Sequence, residues 1–425
     1  MRRRSPTTHL FRDVERAESA ARVQAPKAAK GLKVVGLFAG VGGVELGLAR
    51  SGHEARMLCE FDDGASAVLA ARFPGVELTR DVRSIESLPS CDLLTAGFPC
   101  QDLSQAGRTR GITGEKSGLI QVVFQLVERA KRKPRWLMLE NVPFMLQLER
   151  GKGMAYLVRE LRRLGYVNWA YRVVDTRSFG LPQRRRRVIM LASRTEDPRT
   201  VLFPDDYEQE PDMPLEQARA VGFYWTEGIR GLGWAIESVP TLKGGSTVGI
   251  PSAPAIWSTK ERKFGTPTIE DAERLQGFDA GWTEPITNAG VRASMRWKLV
   301  GNAVSVPVSE WVGKRLASPG HYDSFDDVPL REGAAWPNAA WGIRDEWHVA
   351  DVGEWAGGWM PQPLSSFLCD DTKPLSVKAT AGFISRTRDP RNNLRMNERF
   401  LADLDHYLAS IQDQPARKSK VQTSR

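Results

Sequence analysis

The chain has 425 residues, 41% apolar and 26% charged, an ordinary globular composition that excludes a disordered chain, and no apolar run approaches the ~18 residues of a membrane helix. That length predicts one large domain with a smaller one attached, or two to three domains. The net charge of +9 allows a polyanionic partner without demanding one.

Residues 1–30 carry eight Lys/Arg against three Asp/Glu and predict a flexible basic tail. No apolar run follows the arginines, as a secretory signal requires, so a cytoplasmic protein is expected. From residue 33, β-like runs alternate with helical stretches. The first strand spans 33–38, and Gly40 to Gly43 turn it into an amphipathic helix ending near 51–52. Further strands are expected at 55–60, 91–96, 135–139, 169–174 and 187–191. Helices are expected at 117–129, where apolar residues recur at helical spacing, and at 154–164. The pattern describes a doubly wound α/β core, with ligand sites at the carboxyl ends of its strands. Periodicity then fails: residues 195–268 are rich in Pro, Gly, Thr and Trp and predict a distinct small domain. Helical pattern returns at 269–275 and 304–316. The last segment, 317–425, holds five of the thirteen tryptophans within 336–359.

The turn Phe38-Ala39-Gly40-Val41-Gly42-Gly43 lets backbone approach a ligand and aims helix-terminal N–H groups at it. A dinucleotide is disfavoured, because Glu45 stands at the third glycine position of the dinucleotide fingerprint and would repel a pyrophosphate. Glu60, about twenty residues on at the end of the second strand, is placed to accept ribose hydroxyls, and Asp81 to accept from an adenine amine. Together they describe an adenosine site without a phosphate cradle, which points to S-adenosyl-L-methionine.

Of the four cysteines, none has the close pairing of a metal knuckle or a disulfide framework, so cysteine chemistry must come from one thiol, and no metal site is expected. Cys100, in Gly97-Phe98-Pro99-Cys100-Gln101, follows an apolar strand into the same cleft. Glu140, in Glu140-Asn141-Val142, ends another apolar strand and suits proton donation. Gln183-Arg184-Arg185-Arg186-Arg187 leads into a further strand, where alternation projects Arg185 and Arg187 to one side.

These motifs, with Arg274-Leu275-Gln276-Gly277-Phe278 and Gly301-Asn302-Ala303-Val304, resemble in kind and order those of the DNA (cytosine-5)-methyltransferases, over roughly residues 33–316. The resemblance implies that Cys100 attacks carbon 6 of a cytosine flipped out of double-stranded DNA, while Glu140 binds N3 and the exocyclic amine and Arg187, helped by Arg185, stabilises O2. It also implies a cofactor pocket of Phe38, Gly40, Val41, Gly42, Gly43, Glu60, Phe61, Asp81, Val82, Pro99, Leu119, Asn302 and Val304. Gly36, where many members are acidic, and Ser305, where Pro is common, depart from the pattern.

The implied organisation is a basic tail (1–30), a Rossmann-like S-adenosylmethionine-dependent catalytic core (31–193 and 269–316), a target-recognition region (194–268) with Thr241-Leu242 as a landmark, and a C-terminal extension (317–425). About fifty residues precede the landmark, which is short for target recognition. Because residues 320–369 are acidic on balance, Trp336, Trp341, Trp347, Trp355 and Trp359 are expected to pack the extension onto the core rather than stack on nucleic acid, while Arg386, Arg388, Arg391 and Arg395 remain phosphate candidates. A monomer is expected, bound to the nucleoid through DNA and paired with a cognate restriction endonuclease. The alternatives are a tRNA cytosine-5 methyltransferase of the same architecture and a catalytically silent DNA-binding relative.

Overall fold

The computed structural model describes residues 31–99, 118–209, 211–226, 232–244, 252–331, 333–389 and 396–413. The strands Lys33–Leu37 (β1), Glu54–Cys59 (β2), Glu77–Thr79 (β3), Leu93–Ala96 (β4) and Trp136–Asn141 (β5) lie parallel in the order β3-β2-β1-β4-β5. Beyond β5 come Asn168–Asp175 (β6), the short strand Gln183–Arg184 (β7) and Arg186–Ser193 (β8); β8 inserts between β5 and β6, antiparallel to both. Strand order reverses at β1, which opens the crevice of a doubly wound sheet between the carboxyl ends of β1 and β4. The chain therefore delivers the glycine turn after β1 and Pro99 after β4 to the same crevice.

Side-chain alternation sorts the sheet residues onto two faces. Val35, Leu37, Leu137 and Leu139 meet the helices Leu119–Arg129 (α3) and Lys152–Arg163 (α4), named after Gly43–Arg50 (α1) and Asp63–Arg72 (α2). Val34, Leu93, Trp136 and Met138 face the other way, with Val44 and Leu48 of α1. After the helices Ile269–Arg274 (α5) and Arg296–Asn302 (α6), the helix Val306–Ala317 (α7) returns to this second face and lays Val308, Trp311 and Val312 into the same core.

A second sheet gathers Ala220–Phe223 (β9), Ala235–Ile236 (β10), Ala255–Ser258 (β12) and Lys263–Thr266 (β13), while Val239–Pro240 (β11) pairs with β7. The described residues of the C-terminal segment divide between the two sheets. Val328–Pro329 (β14), Ala339–Ile343 (β15) and Glu346–Val349 (β16) extend the large sheet beyond β6, and Lys373–Pro374 (β17) joins the small one beside β13. The helices Val377–Arg388 (α8) and Glu398–Gln412 (α9) then bury Phe383, Phe400, Leu404 and Tyr407 against Val221, Phe223, Trp257 and Phe264. The short region ahead of the Thr241-Leu242 landmark thus acquires its core from the far end of the chain.

The tryptophans separate by position. Trp341 and Trp355 are buried, and Trp336 and Trp347 pack edge-on against Trp169 of β6. Trp359 is the exception at 71% exposed. Arg388 is engaged with Asp405 at 2.5 Å, and Arg391 and Arg395 lie outside the described residues.

Candidate active site

One cavity of about 230 Å³ at the carboxyl ends of β1 to β3 is lined by Phe38, Glu60, Phe61, Asp81, Val82 and Leu119, together with Cys59, Arg80 and Arg83. Glu60 accepts the Gly40 N–H on one carboxylate oxygen and the Asp62 N–H on the other, both at 2.8 Å, so its orientation is set by backbone before any ligand arrives. Arg80 and Arg83 had no motif to announce them. Arg80 donates to the Phe61 carbonyl and to Asp63, and the Arg83 guanidinium stands 3.9 Å from Asp81 Oδ2.

The glycine turn needs its glycines. Gly42 has φ 84° and caps α1, a conformation strained for any residue with a Cβ. A Cβ on Gly43 would lie 2.2 Å from the Val304 carbonyl oxygen, so Val304 closes on the turn at backbone distance. Val41 points away from the cavity into the core with Ala65, Val68 and Trp282. Gly36 has a physical reason as well: a Cβ there would lie 2.3 Å from Glu45 Oε1. The buried Glu45 carboxyl occupies that space, accepts from Thr95 at 3.3 Å, and is pushed up to about 7 chiefly by burial.

Across the crevice, Glu140 and Arg187 meet at the carboxyl end of β5, with Arg187 Nε 2.9 Å from Glu140 Oε1 and each side chain nearly buried. Burial pulls the Arg187 guanidinium below its ordinary pKa, and Glu140 works against that shift. The second oxygen of Glu140 faces Gly97, where a Cβ would lie 3.4 Å away. Asn141 ties the two strand ends together: it donates to the Phe98 carbonyl and accepts the Val142 N–H, both at 2.9 Å. Pro99 is exposed at the end of this segment. Cys100 lies outside the described residues.

Arg185 is brought to the same region but not to the same task. Its buried guanidinium donates to the carbonyls of Leu242 at 3.1 Å, Gly301 at 3.2 Å and Ala303 at 2.6 Å. It thereby clamps the small sheet's landmark and the returning α6 to β7–β8. Gln183 extends the clamp, donating to Leu275 O and accepting the Leu242 N–H. Ser305, the departure from the usual proline, donates to Gln276 Oε1 at 2.6 Å within this buried network. Asn302 is exposed and stands against Gly244, a position on the small-domain side of the crevice rather than in the cavity beside Glu60.

Two other cysteines are poor nucleophile candidates. Burial pushes the Cys59 and Cys91 thiols up to about 12, so neither holds an appreciable thiolate near neutrality. Cys369 is exposed on a loop, where its N–H donates to Asp271.

The sequence model of the C-5 cytosine-specific DNA methylases matches residues 32–228. The chain is 48% identical over 384 residues to the type II methyltransferase M2.BsuMI of Bacillus subtilis (strain 168), covering 88% of this chain and 97% of that protein. It is 26% identical over 320 residues to M.DsaV of Dactylococcopsis salina, covering 68% and 87%, and 29% identical over 305 residues to M.NgoBI of Neisseria gonorrhoeae, covering 65% and 90%. The Rossmann-like sheet, the order of its motifs and this likeness along nearly the whole chain lead to one assignment: the protein belongs to the C-5 cytosine-specific DNA methylase family and is a DNA cytosine methyltransferase.

Proposed function

We propose that the chain methylates carbon 5 of a cytosine flipped out of a specific sequence in double-stranded DNA, by way of a covalent adduct on Cys100. The observation that carries this reading is the Glu140–Arg187 pair, 2.9 Å apart, set across the crevice from a cavity lined by Glu60 and Asp81.

The family implies S-adenosylmethionine, and the cavity suits it. Glu60 would accept from the ribose and Asp81 from the adenine amine, with Phe38, Phe61, Val82 and Leu119 as apolar surface. Gly40, Gly42, Gly43 and Val304 would shape the remainder, with Pro99 at the crevice edge. Bound there, the cofactor supplies an electrophilic sulfonium methyl group.

The remaining work falls to the chain's own groups. Carbon 5 of cytosine is too weakly nucleophilic until a thiolate adds at carbon 6, which is the role of Cys100. The addition drives electron density into the ring. Glu140 would bind N3 and the exocyclic amine and donate a proton there, and Arg187 would hold O2. Loss of the carbon-5 proton after methylation then expels Cys100 and restores the aromatic ring. Arg185 would serve this chemistry indirectly, by holding β8, and with it Arg187, against α6.

Residues 194–268 would read the target sequence, supported by the C-terminal helices. A restriction endonuclease cutting the same site is the protein partner proposed, in keeping with the type II name of M2.BsuMI, and the enzyme would act as a monomer. Tritiated methyl transfer to duplex DNA and to tRNA, measured in parallel, tests the reading. Incorporation at cytosine carbon 5 of duplex DNA is expected, and incorporation into tRNA alone would overturn it.

A further inference from the structure

A second cavity, of about 580 Å³, shares Arg187 with the candidate active site. Arg177, Arg184 and Arg186 line it as well, with Asp175, Glu354 and Thr241 of the small-domain landmark among its other walls. Ion pairing sorts the four guanidiniums. Arg177 is held by Asp175 at 3.1 Å and by Asp212 at 2.9 Å, Arg186 by Glu354 through Nε at 2.6 Å, and Arg187 by Glu140 at 2.9 Å. Each of these three cations is neutralised from within the chain. Arg184 is not: it has no carboxylate partner among the described residues, and its guanidinium donates there only through Nη1, to the Trp234 carbonyl at 2.7 Å.

The fold presents this arginine for a geometric reason. Gln183 and Arg185 are 0% and 1% exposed and turn inward to the clamp. Alternation therefore sends Arg184, between them, to the opposite side, where it is exposed. The landmark fixes its backbone: Gln183 and Arg184 pair with Val239 and Pro240, and Thr241 Oγ1 donates to the Arg184 carbonyl at 2.7 Å. The Trp234 carbonyl fixes one edge of the guanidinium. Nε and Nη2 remain as a fork of the geometry that takes two oxygens of a phosphate. Three residues separate Arg184 from Arg187, at most about 11 Å of extended chain, which is the scale of one nucleotide from its base to the neighbouring phosphates.

We propose that Arg184 grips a backbone phosphate beside the flipped cytosine and so sets the register of the duplex against Glu140 and Arg187. This rests on the reading of duplex DNA as the substrate. A phosphate contact positions the duplex without reading its sequence, so its loss weakens binding to every duplex alike.

The test measures binding of the full-length wild type, Arg184→Gln, Arg184→Lys and Arg129→Gln over a series of salt concentrations. One labelled duplex carries the site mapped by methylation-sensitive sequencing, and a second lacks it. Arg184→Gln should bind both duplexes about ten-fold more weakly at low salt, with a salt slope shallower by about 0.9 and an unchanged melting temperature. Arg184→Lys keeps the charge and should keep the slope. Arg129→Gln removes the same charge from the exposed end of α3, which leads into the amino end of β5, opposite the strand ends that carry the site; it should bind as wild type. Single uncharged methylphosphonates placed through the mapped site then locate the contact: one position near the cytosine should weaken the wild type and leave Arg184→Gln indifferent. A wild-type slope in Arg184→Gln, or a wild type that no single methylphosphonate weakens, would overturn the inference alone. So would a loss confined to the mapped site, which would make Arg184 a base-reading residue, and so would a lowered melting temperature with an unchanged slope. A wild-type protein that binds no duplex would overturn the functional reading itself, and this inference with it.

Discussion

Replacing Arg185 by Met keeps the side-chain length and removes every donor. The three carbonyls that Arg185 satisfies, those of Leu242, Gly301 and Ala303, belong to buried residues on two separate elements. Each buried acceptor left without a partner costs roughly 1–3 kcal/mol. Relief of the desolvation of the guanidinium, whose burial holds its pKa well below the ordinary arginine value, offsets part of that. A net loss of about 3–5 kcal/mol is expected, the range found when a buried charged arrangement is broken from one side. Urea denaturation followed by far-ultraviolet circular dichroism measures it, and Arg185→Lys, which can satisfy one or two of the carbonyls, should fall between the two. Arg187→Met leaves the nearly buried Glu140 carboxylate without its cation, so it should lose stability as well, and turnover with it. A fully stable Arg185→Met protein with no turnover would refute the clamp and return Arg185 to direct contact with the substrate.

Glu140→Gln should lose far more in kcat than in DNA affinity, the signature of an interaction made in the transition state; equal losses measured by single-turnover kinetics and by binding would make Glu140 a positioning residue. Glu45 gives a pH prediction. Burial raises its pKa from an ordinary 4.5 to about 7, so the folded chain keeps a proton that the unfolded chain releases. That contribution is complete below the unfolded pKa and is lost as pH rises through the folded value. Glu45→Gln should therefore be close to neutral at pH 4.5, stabilising by about 3 kcal/mol at pH 8, and should flatten the melting profile between them; identical profiles would contradict it. Exchanging residues 194–268 with those of a relative should change the methylated sequence only when α8 and α9 are exchanged too, because Phe223, Trp257 and Phe264 pack on Phe383 and Phe400. A clean change of site with residues 194–268 alone would show the helices to be interchangeable.

The catalytic core was legible because its strands are long apolar runs and its helices keep their period. β1, β2, β4, β5, β6 and β8 lie within a few residues of their expected positions. β3 was not foreseen, since three residues, Glu77–Thr79, carry no periodicity. The same reason hid the division of the C-terminal segment: β14 and β17 are two-residue strands, and β17 pairs with β13, more than a hundred residues earlier in the chain. In the site, Phe38, Glu60, Phe61, Asp81, Val82 and Leu119 lie together because each follows or faces a strand end, where local sequence sets position. Arg185 misled for a geometric reason. Alternation places it on the side of Arg187, but its length carries the guanidinium past the crevice to carbonyls contributed by Leu242, Gly301 and Ala303, and no local pattern reveals acceptors supplied from so far along the chain. Glu45 and Gly36 show the converse, since a departure at one position is explained by the carboxyl that occupies its space.

The central claim, that Cys100 is the nucleophile toward cytosine carbon 6, is tested most directly by trapping. In duplex DNA bearing 5-fluorocytosine at the mapped site, fluorine cannot leave as the carbon-5 proton does, so the reaction stops at the covalent adduct. Incubated with S-adenosylmethionine, the wild-type enzyme should form a denaturation-resistant complex with that duplex, and mass spectrometry of the digested complex should locate the modified nucleotide on Cys100. Cys100→Ser should form none while still binding the cofactor. An adduct on Cys369, or full turnover by Cys100→Ser, would contradict the account.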